Sequence, residues 1–446
     1  MKKIITLLSF VLTISGVAYA QDFGTTYLGT KTLYQYHAQK YTPPPAGYLP
    51  VFINHVGRHG ARHLTKDVAK TYAYALLMEA DSSISLTDKG KKLKQMVAAL
   101  QKIEQGNTKF ISAEGRDELY GLGKRMFLNY SKVFNGKVNL DVAVTKEVRT
   151  TQSANSFLSG FNSNLKDSAS VRFYNDDTSL RFYDLSPAYK KFEDSVANCG
   201  LMLSLKKAVG FNELVNNVIN QFFNINFITK LDQTRKEKFV SDLFGFTTIK
   251  YSLKAEINEK QFEKTSLNFE SFFTCEELRK LGQIESVDEN LKKGPGTDNN
   301  GIQVRVAVPL LVDFIKATDD FIKNDKYSAH LRFAHAETIA PFAALLQITT
   351  ADKAAINIQS LKSNWHSSAI IPLSANIQWV FYKRKGSPDY LVKVLLNEKE
   401  AHIDGLIAYK GLFYKWAELR KFYVGKLKRL NVSLTDDMAL YLSRLN

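Results

Sequence analysis

The sequence predicts an α/β fold in which a mixed-sheet core is interrupted by a mainly α-helical insertion. Three short apolar runs each lead into polar or charged residues and then into a helical pattern, at residues 51–56, 140–144 and 331–334. Two further runs, 377–383 and 390–396, flank a turn that contains Gly and Pro and predict a hairpin. Strands joined by helices, together with a hairpin, make a mixed α/β sheet.

Helical periodicity places the remaining elements and divides the chain. Core helices are predicted at 67–80, 87–105, from Ser112 onward, after Arg149 to about Gly160, and at 303–324, 339–346 and 412–430. In residues 166–300 the alternation of strand and helix patterns stops and helical periodicity predominates. The periodic segments indicate helices at 205–231, 236–254 and 259–292. We therefore predict a core formed by residues 21–165 and 301–446, with residues 166–300 as an inserted α-helical domain.

The N-terminus predicts export. Lys2 and Lys3 precede an apolar run at 4–17, and Ala18-Tyr19-Ala20 supplies a small-residue cleavage site, so residues 1–20 are predicted to be a secretory signal peptide. No later apolar run is long enough to span a bilayer. We expect a periplasmic or secreted protein without membrane insertion.

The net charge bears on the class of ligand, and the two cysteines bear on a possible disulfide. The formal net charge is +16, which could attract nucleic acid, anionic glycans, a membrane surface or a polyanionic small molecule. No helix-turn-helix, RNP or zinc-finger pattern accompanies it, so we expect no nucleic acid as ligand and a pocket that attracts anions, which suits a polyanionic small molecule. Cys199 and Cys275 are too few for a disulfide scaffold; they could form one disulfide or remain two separate thiols. The sequence carries no signal for the oligomeric state.

The segment Asn54-His55-Val56-Gly57-Arg58-His59-Gly60-Ala61-Arg62-His63 is the centre of the functional prediction. Two arginines flank a histidine on a backbone expected to be flexible at its glycines, which suits binding and attack of a phosphoryl group. Three histidines spaced four apart could instead hold zinc if the segment were helical. Pro50, the β-branched and aromatic residues and the glycines argue against a helix and favour a strand that ends in a loop.

Three predicted strand ends carry chemically suited side chains: Arg58, His59 and Arg62; Arg149; His335 and Glu337. Arginines bind phosphoryl oxygens through forked hydrogen bonds, and a neutral imidazole can attack phosphorus to form a covalent intermediate. Neighbouring cations should keep His59 neutral in acid solution. A protonated Glu337 could give a proton to the leaving alkoxide and then activate water.

These residues resemble the motifs of the histidine acid phosphatases. Arg58-His59-Gly60-Ala61-Arg62 matches the opening motif of that family, and Arg149 with Thr151, Ser153, Ala154 and Phe157 is similar to its second motif. Residues 114–125 are similar to the helix after the first motif. His335-Ala336-Glu337 resembles the variant found in the multiple inositol polyphosphate phosphatases, as does the late segment 394–398.

The resemblance implies a role for each matched residue. His59 would be the nucleophile, Glu337 the proton donor, and the scissile phosphate would be bound by Arg58, Arg62, Arg149 and His335. It also implies an α/β core of histidine phosphatase type, a helical insertion beside the active site and no metal cofactor. The implied substrates are inositol hexakisphosphate (phytate) and lower inositol phosphates. Arg181 resembles a residue of the segment that enters the family's pocket, and we expect it to bind substrate.

One position departs from the family pattern. The motif ends in a proline two places after its second arginine, and Leu64 stands there instead, which predicts a less rigid turn without touching the phosphate ligands. Two alternative functions stay open: a broad-specificity histidine acid phosphatase acting on sugar or other phosphomonoesters, and a non-catalytic protein that binds phosphorylated ligands. Binding alone needs neither His59 nor Glu337, which argues against the second.

Overall fold

The structure, a computed structural model, describes residues 26–259 and 267–446. The predicted signal peptide at residues 1–20 lies outside the described residues. Within the described part, no helix has the length and apolar character needed to cross a membrane. Cys199 and Cys275 are separate free thiols.

The described strands are β1 (Tyr48–Arg58), β2 (Asn139–Val144), β3 (Ser170–Asn175), β4 (Ala329–Ala334), β5 (Asn376–Arg384), β6 (Tyr390–Leu396), β7 (Lys399–Glu400) and β8 (Phe413–Lys415). The first ten α-helices are α1 (Tyr72–Ser82), α2 (Asp88–Glu104), α3 (Ala113–Asn129), α4 (Val148–Asn162), α5 (Asp177–Leu180), α6 (Phe182–Leu185), α7 (Pro187–Val196), α8 (Gly200–Ala208), α9 (Phe211–Ile219) and α10 (Ile225–Ile228). The others are α11 (Gln233–Ile249), α12 (Lys254–Glu259), α13 (Cys275–Lys293), α14 (Ile302–Arg305), α15 (Val308–Asn324), α16 (Ala336–Leu345), α17 (Ile358–Ser363), α18 (Ser367–Ile370), α19 (Trp416–Arg429) and α20 (Met438–Arg444).

The strands form one mixed sheet, as predicted. Its order is β3-β2-β4-β1-β5-β6-β7, and β8 also pairs with β6. The four strands β3, β2, β4 and β1 are mutually parallel, whereas β5 is antiparallel to β1 and forms the predicted hairpin with β6. Because β4 lies between β1 and β2, the three predicted strand ends are adjacent at one edge of the sheet.

Helices cover both faces of the sheet because side chains of the strands alternate between the faces. On β1, Phe52 and Val56 face a core that contains residues of α15, α16 and α19. Ile53 faces the opposite core, which contains residues of α3 and α4. The core is therefore a helix–sheet–helix arrangement.

A separate hydrophobic cluster joins the helices from α8 to α13. It also includes α1 and α2, which precede residue 166, whereas β3 lies inside 166–300 but belongs to the sheet. The strand gave no apolar signal because it is an edge strand whose side chains are largely exposed. The helical character expected for residues 166–300 is otherwise present in α5 to α13, and the exact domain limits stay a prediction.

Candidate active site

The site lies where β1, β4 and the segment after β2 end side by side. Arg58 is paired in register with Ala334, and Val144 is paired with Phe333, so the carboxyl ends of the three parallel strands are level. The backbone N–H of His59 donates to the carbonyl of Ala334 at 2.9 Å. This alignment is the reason that residues far apart in sequence meet at one edge.

The surroundings of His59 leave one ring nitrogen free and favour an uncharged ring. Its Nδ1 lies 2.9 Å from the carbonyl oxygen of Gly60, which can only accept, so Nδ1 carries the proton and Nε2 keeps its lone pair. The side chain is buried, and burial is the largest cause that lowers the pKa of His59 well below its usual value. Arg58 and Arg62 lower it further. The lowered pKa favours the neutral imidazole.

Three arginines surround His59 with unused hydrogen-bond donors. Arg58 is anchored by Nη1, which donates to the carbonyls of Thr30 at 2.8 Å and Ile371 at 2.5 Å. The Nε atoms of Arg58, Arg62 and Arg149 are each buried and have no hydrogen-bond partner among the described residues. Buried donors are normally satisfied, so three such groups around one imidazole indicate an anion-binding site.

Glu118 on α3 holds the loop that carries His59. Its carboxylate accepts from the backbone N–H of Ala61 at 2.9 Å, the backbone N–H of Tyr34 at 2.7 Å and the hydroxyl of Ser374 at 2.7 Å. Burial raises the pKa of Glu118, and these hydrogen bonds oppose the rise. One side chain thereby ties three separate segments together.

Gly60 of the loop and Gly115 of α3 allow close packing between the loop and the helix. A Cβ on Gly60 would lie 2.6 Å from the carbonyl oxygen of Gly115 on α3. A Cβ on Gly115 would lie 2.0 Å from the carbonyl oxygen of Ala61. Neither glycine is among the residues with positive φ. The two glycines let the loop rest directly on the helix backbone.

The three histidines of the segment have separate surroundings, as expected for a strand that ends in a loop. His55 packs against the rings of Phe157 and Phe333, and His63 lies beside the carboxylates of Glu104 and Glu256. Within residues 26–259 and 267–446, no group of three or more His, Cys, Asp or Glu side chains is arranged to hold a metal ion.

Leu64, which replaces the family proline, makes a contact that proline could not. Its backbone N–H donates to Oε2 of Glu104 at 3.1 Å, and its carbonyl accepts from the N–H of Lys109 at 2.7 Å. These two hydrogen bonds restrain the turn that the sequence predicted to be less rigid.

His335 and Arg149 lie beside His59. The rings of His59 and His335 have centroids 5.6 Å apart. Arg149 Nη2 is 3.2 Å from Nδ1 of His335, while Nε2 of His335 is 3.0 Å from the hydroxyl of Thr145. Burial, and next the charge of Arg149, lower the pKa of His335 to about 3. Both ring nitrogens are occupied, so here His335 orients Arg149 and presents no spare donor to a phosphate.

Glu337 is engaged in an ion pair that the sequence did not predict. Its Oε1 lies 3.0 Å from Nζ of Lys293, which is also 2.7 Å from a carboxylate oxygen of Glu289. Burial alone would raise the pKa of Glu337, but Lys293 and His335 outweigh it and hold that pKa well below the usual range. Glu337 is therefore ionised in this structure, whereas the sequence interpretation expected a protonated acid.

Arg181 lies near the site but is occupied by carboxylates. Its Nη1 donates to Oε1 of Glu147 at 2.6 Å, and its Nε donates to Asp184 at 2.8 Å. The other carboxylate oxygen of Glu147 accepts from Arg149 Nη1 at 2.7 Å, so Glu147 bridges the two arginines. Arg181 thus supports Arg149 in this arrangement, and its expected contact with substrate stays a prediction.

Sequence reasoning missed the acidic and basic partners of the predicted residues. Glu118 stood within the segment that resembles the family, and Glu147 is two residues from Arg149, so both had a weak positional signal. Lys293 had none, because it closes a charged helix in the insertion and meets Glu337 only through the tertiary fold.

Comparisons with known proteins agree with this arrangement. The sequence model of the histidine phosphatase superfamily (branch 2) matches residues 51–397. Multiple inositol polyphosphate phosphatase 1 of Gallus gallus is 22% identical over 428 residues, covering 88% of each chain.

Two solved structures share the fold. The multiple inositol polyphosphate phosphatase of Bifidobacterium longum, in complex with inositol hexasulfate, superposes with a TM-score of 0.76 at 20% identity, covering 90% of this chain and 98% of that one. The phytase from D. castellii gives a TM-score of 0.62 at 16% identity, covering 93% of this chain and 89% of that one.

Proposed function

The chain belongs to the histidine phosphatase superfamily (branch 2) and is a phosphoric monoester hydrolase, and we propose that it hydrolyses inositol hexakisphosphate and lower inositol phosphates through a phosphohistidine intermediate. The observation that carries the proposal is the 2.9 Å contact between Nδ1 of His59 and the Gly60 carbonyl oxygen. Because Nδ1–H donates to this carbonyl, the lone pair of Nε2 is left for attack, beside three arginines whose Nε donors have no partner among the described residues.

In the first step, Nε2 of His59 attacks the phosphorus atom and the bond from phosphorus to the inositol oxygen breaks. Arg58, Arg62 and Arg149 bind the phosphoryl oxygens, where their charges stabilise the transition state. The proton stays on Nδ1 and donates to the Gly60 carbonyl oxygen, which stabilises the positive charge that develops on the ring. Glu337, once protonated, donates its proton to the leaving alkoxide.

In the second step, the Glu337 carboxylate takes a proton from a water molecule whose oxygen attacks phosphorus. The bond from phosphorus to Nε2 breaks, phosphate leaves, and His59 returns to its starting tautomer. Glu337 regains its proton in this step and is ready for the next turnover or exchanges it with solvent. The side chain of Glu337 is 32% exposed, so such exchange is open to it.

The proposed substrate class rests on the names of the relatives and on the net charge of this chain. The relatives described above act on or bind inositol polyphosphates or their sulfate analogue, as their names state. A net charge of +16 suits a substrate with many negative charges. Export to the periplasm or the exterior, predicted from residues 1–20, belongs to the same proposal.

One observation favours the broader alternative, a phosphatase for sugar phosphates and other monoesters. Arg149, Arg181 and Lys293 each already have a carboxylate partner, so these three cations are partly engaged before a hexakisphosphate could use them. A substrate with one phosphate would need only the unpaired Nε donors of the three arginines around His59.

The test compares phosphate release from inositol hexakisphosphate, glycerol 2-phosphate and 4-nitrophenyl phosphate. Wild type should act on the first, His59→Ala should act on none, and His402→Ala, which changes an exposed histidine, should match wild type. Release by wild type from glycerol 2-phosphate and 4-nitrophenyl phosphate, without release from inositol hexakisphosphate, would favour the broader phosphatase. Quenching wild type with alkali during turnover should trap phosphate on His59, because a phosphorus–nitrogen bond is stable in alkali and hydrolyses in acid. Absence of the phosphorylated species under burst conditions would contradict the covalent step.

A further inference from the structure

Lys293 links the insertion to the catalytic carboxylate and has two acidic partners. It is the last residue of α13, and its side chain is 8% exposed. Nζ lies 2.7 Å and 2.9 Å from the two carboxylate oxygens of Glu289 and 3.0 Å from Oε1 of Glu337. Tyr189 holds this end of the helix, because its hydroxyl donates to the carbonyl of Lys292 at 3.0 Å. The ammonium group is thus fixed between a residue of the insertion and the proposed proton donor.

This ion pair conflicts with the first chemical step. A carboxylate 3.0 Å from an ammonium group stays ionised and has no proton to give to an alkoxide. Something must change at Glu337 between the empty enzyme and the reacting complex. The partners of Lys293 show what can change, because Glu289 alone keeps the ammonium group paired if it leaves Glu337.

Other charged groups near Glu337 include some that favour its ionised form and some that oppose it. The positively charged or basic groups that interact with it are Lys293, Arg58, Arg62 and His335. The acidic groups are Glu193, Tyr183 and Tyr189, with Glu289 on the far side of Lys293. The negative charge of the scissile phosphate offsets the charges of the arginines that bind it. Lys293 is then the cation whose position decides whether Glu337 is protonated or ionised.

We propose that Lys293 is a positioning residue that keeps Glu337 ionised in the empty site and moves to a second phosphate group when a polyphosphate binds, so that Glu337 takes up its proton only with such a substrate. A phosphate dianion attracts the ammonium group more strongly than one carboxylate does, and Glu289 remains as its anchor. The proposal rests on the function proposed above. Its consequence is selectivity, since a monophosphate offers Lys293 no second phosphate and leaves Glu337 without a proton.

The test uses Lys293→Met, which keeps the apolar stem and removes the charge. We measure kcat/KM for glycerol 2-phosphate as a function of pH. The pH at which kcat/KM falls on the alkaline side of the profile (the alkaline limb) should rise by roughly one to three units, because Glu337 in the free enzyme loses its cationic partner. The preference for inositol hexakisphosphate over glycerol 2-phosphate, as a ratio of kcat/KM at one acid pH, should fall by about tenfold or more. Both substrates have an alcohol leaving group, so the ratio reports the additional phosphates.

Lys292→Met is the matched control, because Lys292 pairs with Asp288 at 2.7 Å on the same helix. It should keep the wild-type pH limb and the wild-type substrate ratio. An unmoved limb or an unchanged ratio in a folded Lys293→Met would overturn the proposal.

A second variant covers a failure of Lys293→Met to fold. Glu289→Gln removes the anchoring charge and leaves Lys293 bound to Glu337 alone, so the alkaline limb should move to lower pH and the ratio should again fall. No change in either quantity would contradict the proposal. Absence of phosphate release from inositol hexakisphosphate by wild type would instead reject the proposed function itself, which separates the two failures.

Discussion

Arg149 Nη2 lies 3.2 Å from Nδ1 of His335, and this contact determines which nitrogen of His335 carries the proton. A guanidinium only donates, so Nδ1 accepts and Nε2–H donates to the hydroxyl of Thr145 at 3.0 Å. The resemblance to the family implied that His335 binds the phosphate itself. In this structure His335 instead accepts a hydrogen bond from Arg149 and orients the guanidinium of that arginine.

Replacing His335 by alanine should therefore weaken phosphate binding through Arg149. We expect kcat/KM to fall about 10- to 100-fold, which corresponds to the loss of one hydrogen bond to a charged group. Competitive inhibition by inorganic phosphate should weaken by a similar factor, because the product uses the same arginines. The measurement is the inhibition constant of phosphate beside kcat and KM. Equal inhibition of the variant and wild type would show that His335 does not act through Arg149.

The lowered pKa of His59 predicts activity that persists in acid. A histidine of ordinary pKa would protonate as the pH falls through about 6.5 and lose its lone pair. Because the pKa of His59 lies well below its usual value, kcat/KM for 4-nitrophenyl phosphate should show no acid limb near that pH. A limb that appears there in wild type would contradict the neutral imidazole.

Removing one cation tests the cause of that lowering. Arg62 lowers the pKa of His59, so in Arg62→Met the acid limb should move upward from its wild-type position. Burial, the largest cause, is unchanged, and the limb should stay below the ordinary value. Comparing both enzymes on one substrate cancels the substrate's own ionisation. A limb at the same pH in both would exclude Arg62 as a cause.

The contact between Gly60 and Gly115 predicts a steric effect. In Gly115→Ala, the new methyl group would lie 2.0 Å from the carbonyl oxygen of Ala61 and push the loop away from α3. We expect a loss of about 1–3 kcal/mol in the free energy of unfolding, together with reduced kcat/KM.

Gly121→Ala on the same helix is the control for that change. Its methyl group would lie near Nη1 of Arg125, whereas Nε and Nη2 of that side chain bind Glu398, and alanine has the better helix propensity. Urea denaturation and kcat/KM of the two variants provide the comparison. Equal stability and activity of Gly115→Ala and Gly121→Ala would show that the close approach of loop and helix is unimportant.

The strand ends could be predicted because their signal is local. Apolar runs of four to six residues followed by Arg58-His59, by Arg149 and by His335-Ala336-Glu337 were visible in the sequence, and the sheet order then brings them together. The edge strand β3 was not visible, since an exposed strand lacks an apolar run. The packing of α1 and α2 with the insertion was not visible either, because an amphipathic helix does not specify which partner covers its apolar face.

The sequence by itself determined the types of group at the site: one imidazole, its arginines and one carboxylate, on an α/β frame. The neutral state of His59 was also expected from the sequence, but the tertiary structure alone decided the proton positions on the two histidines and the charge of the carboxylate. The tautomer of His59 depends on the orientation of the Gly60 carbonyl, that of His335 on Arg149, and the ionisation of Glu337 on Lys293. Proton positions and charges follow from distances of about 3 Å between residues that can be more than a hundred positions apart in the chain, and no local pattern encodes such distances.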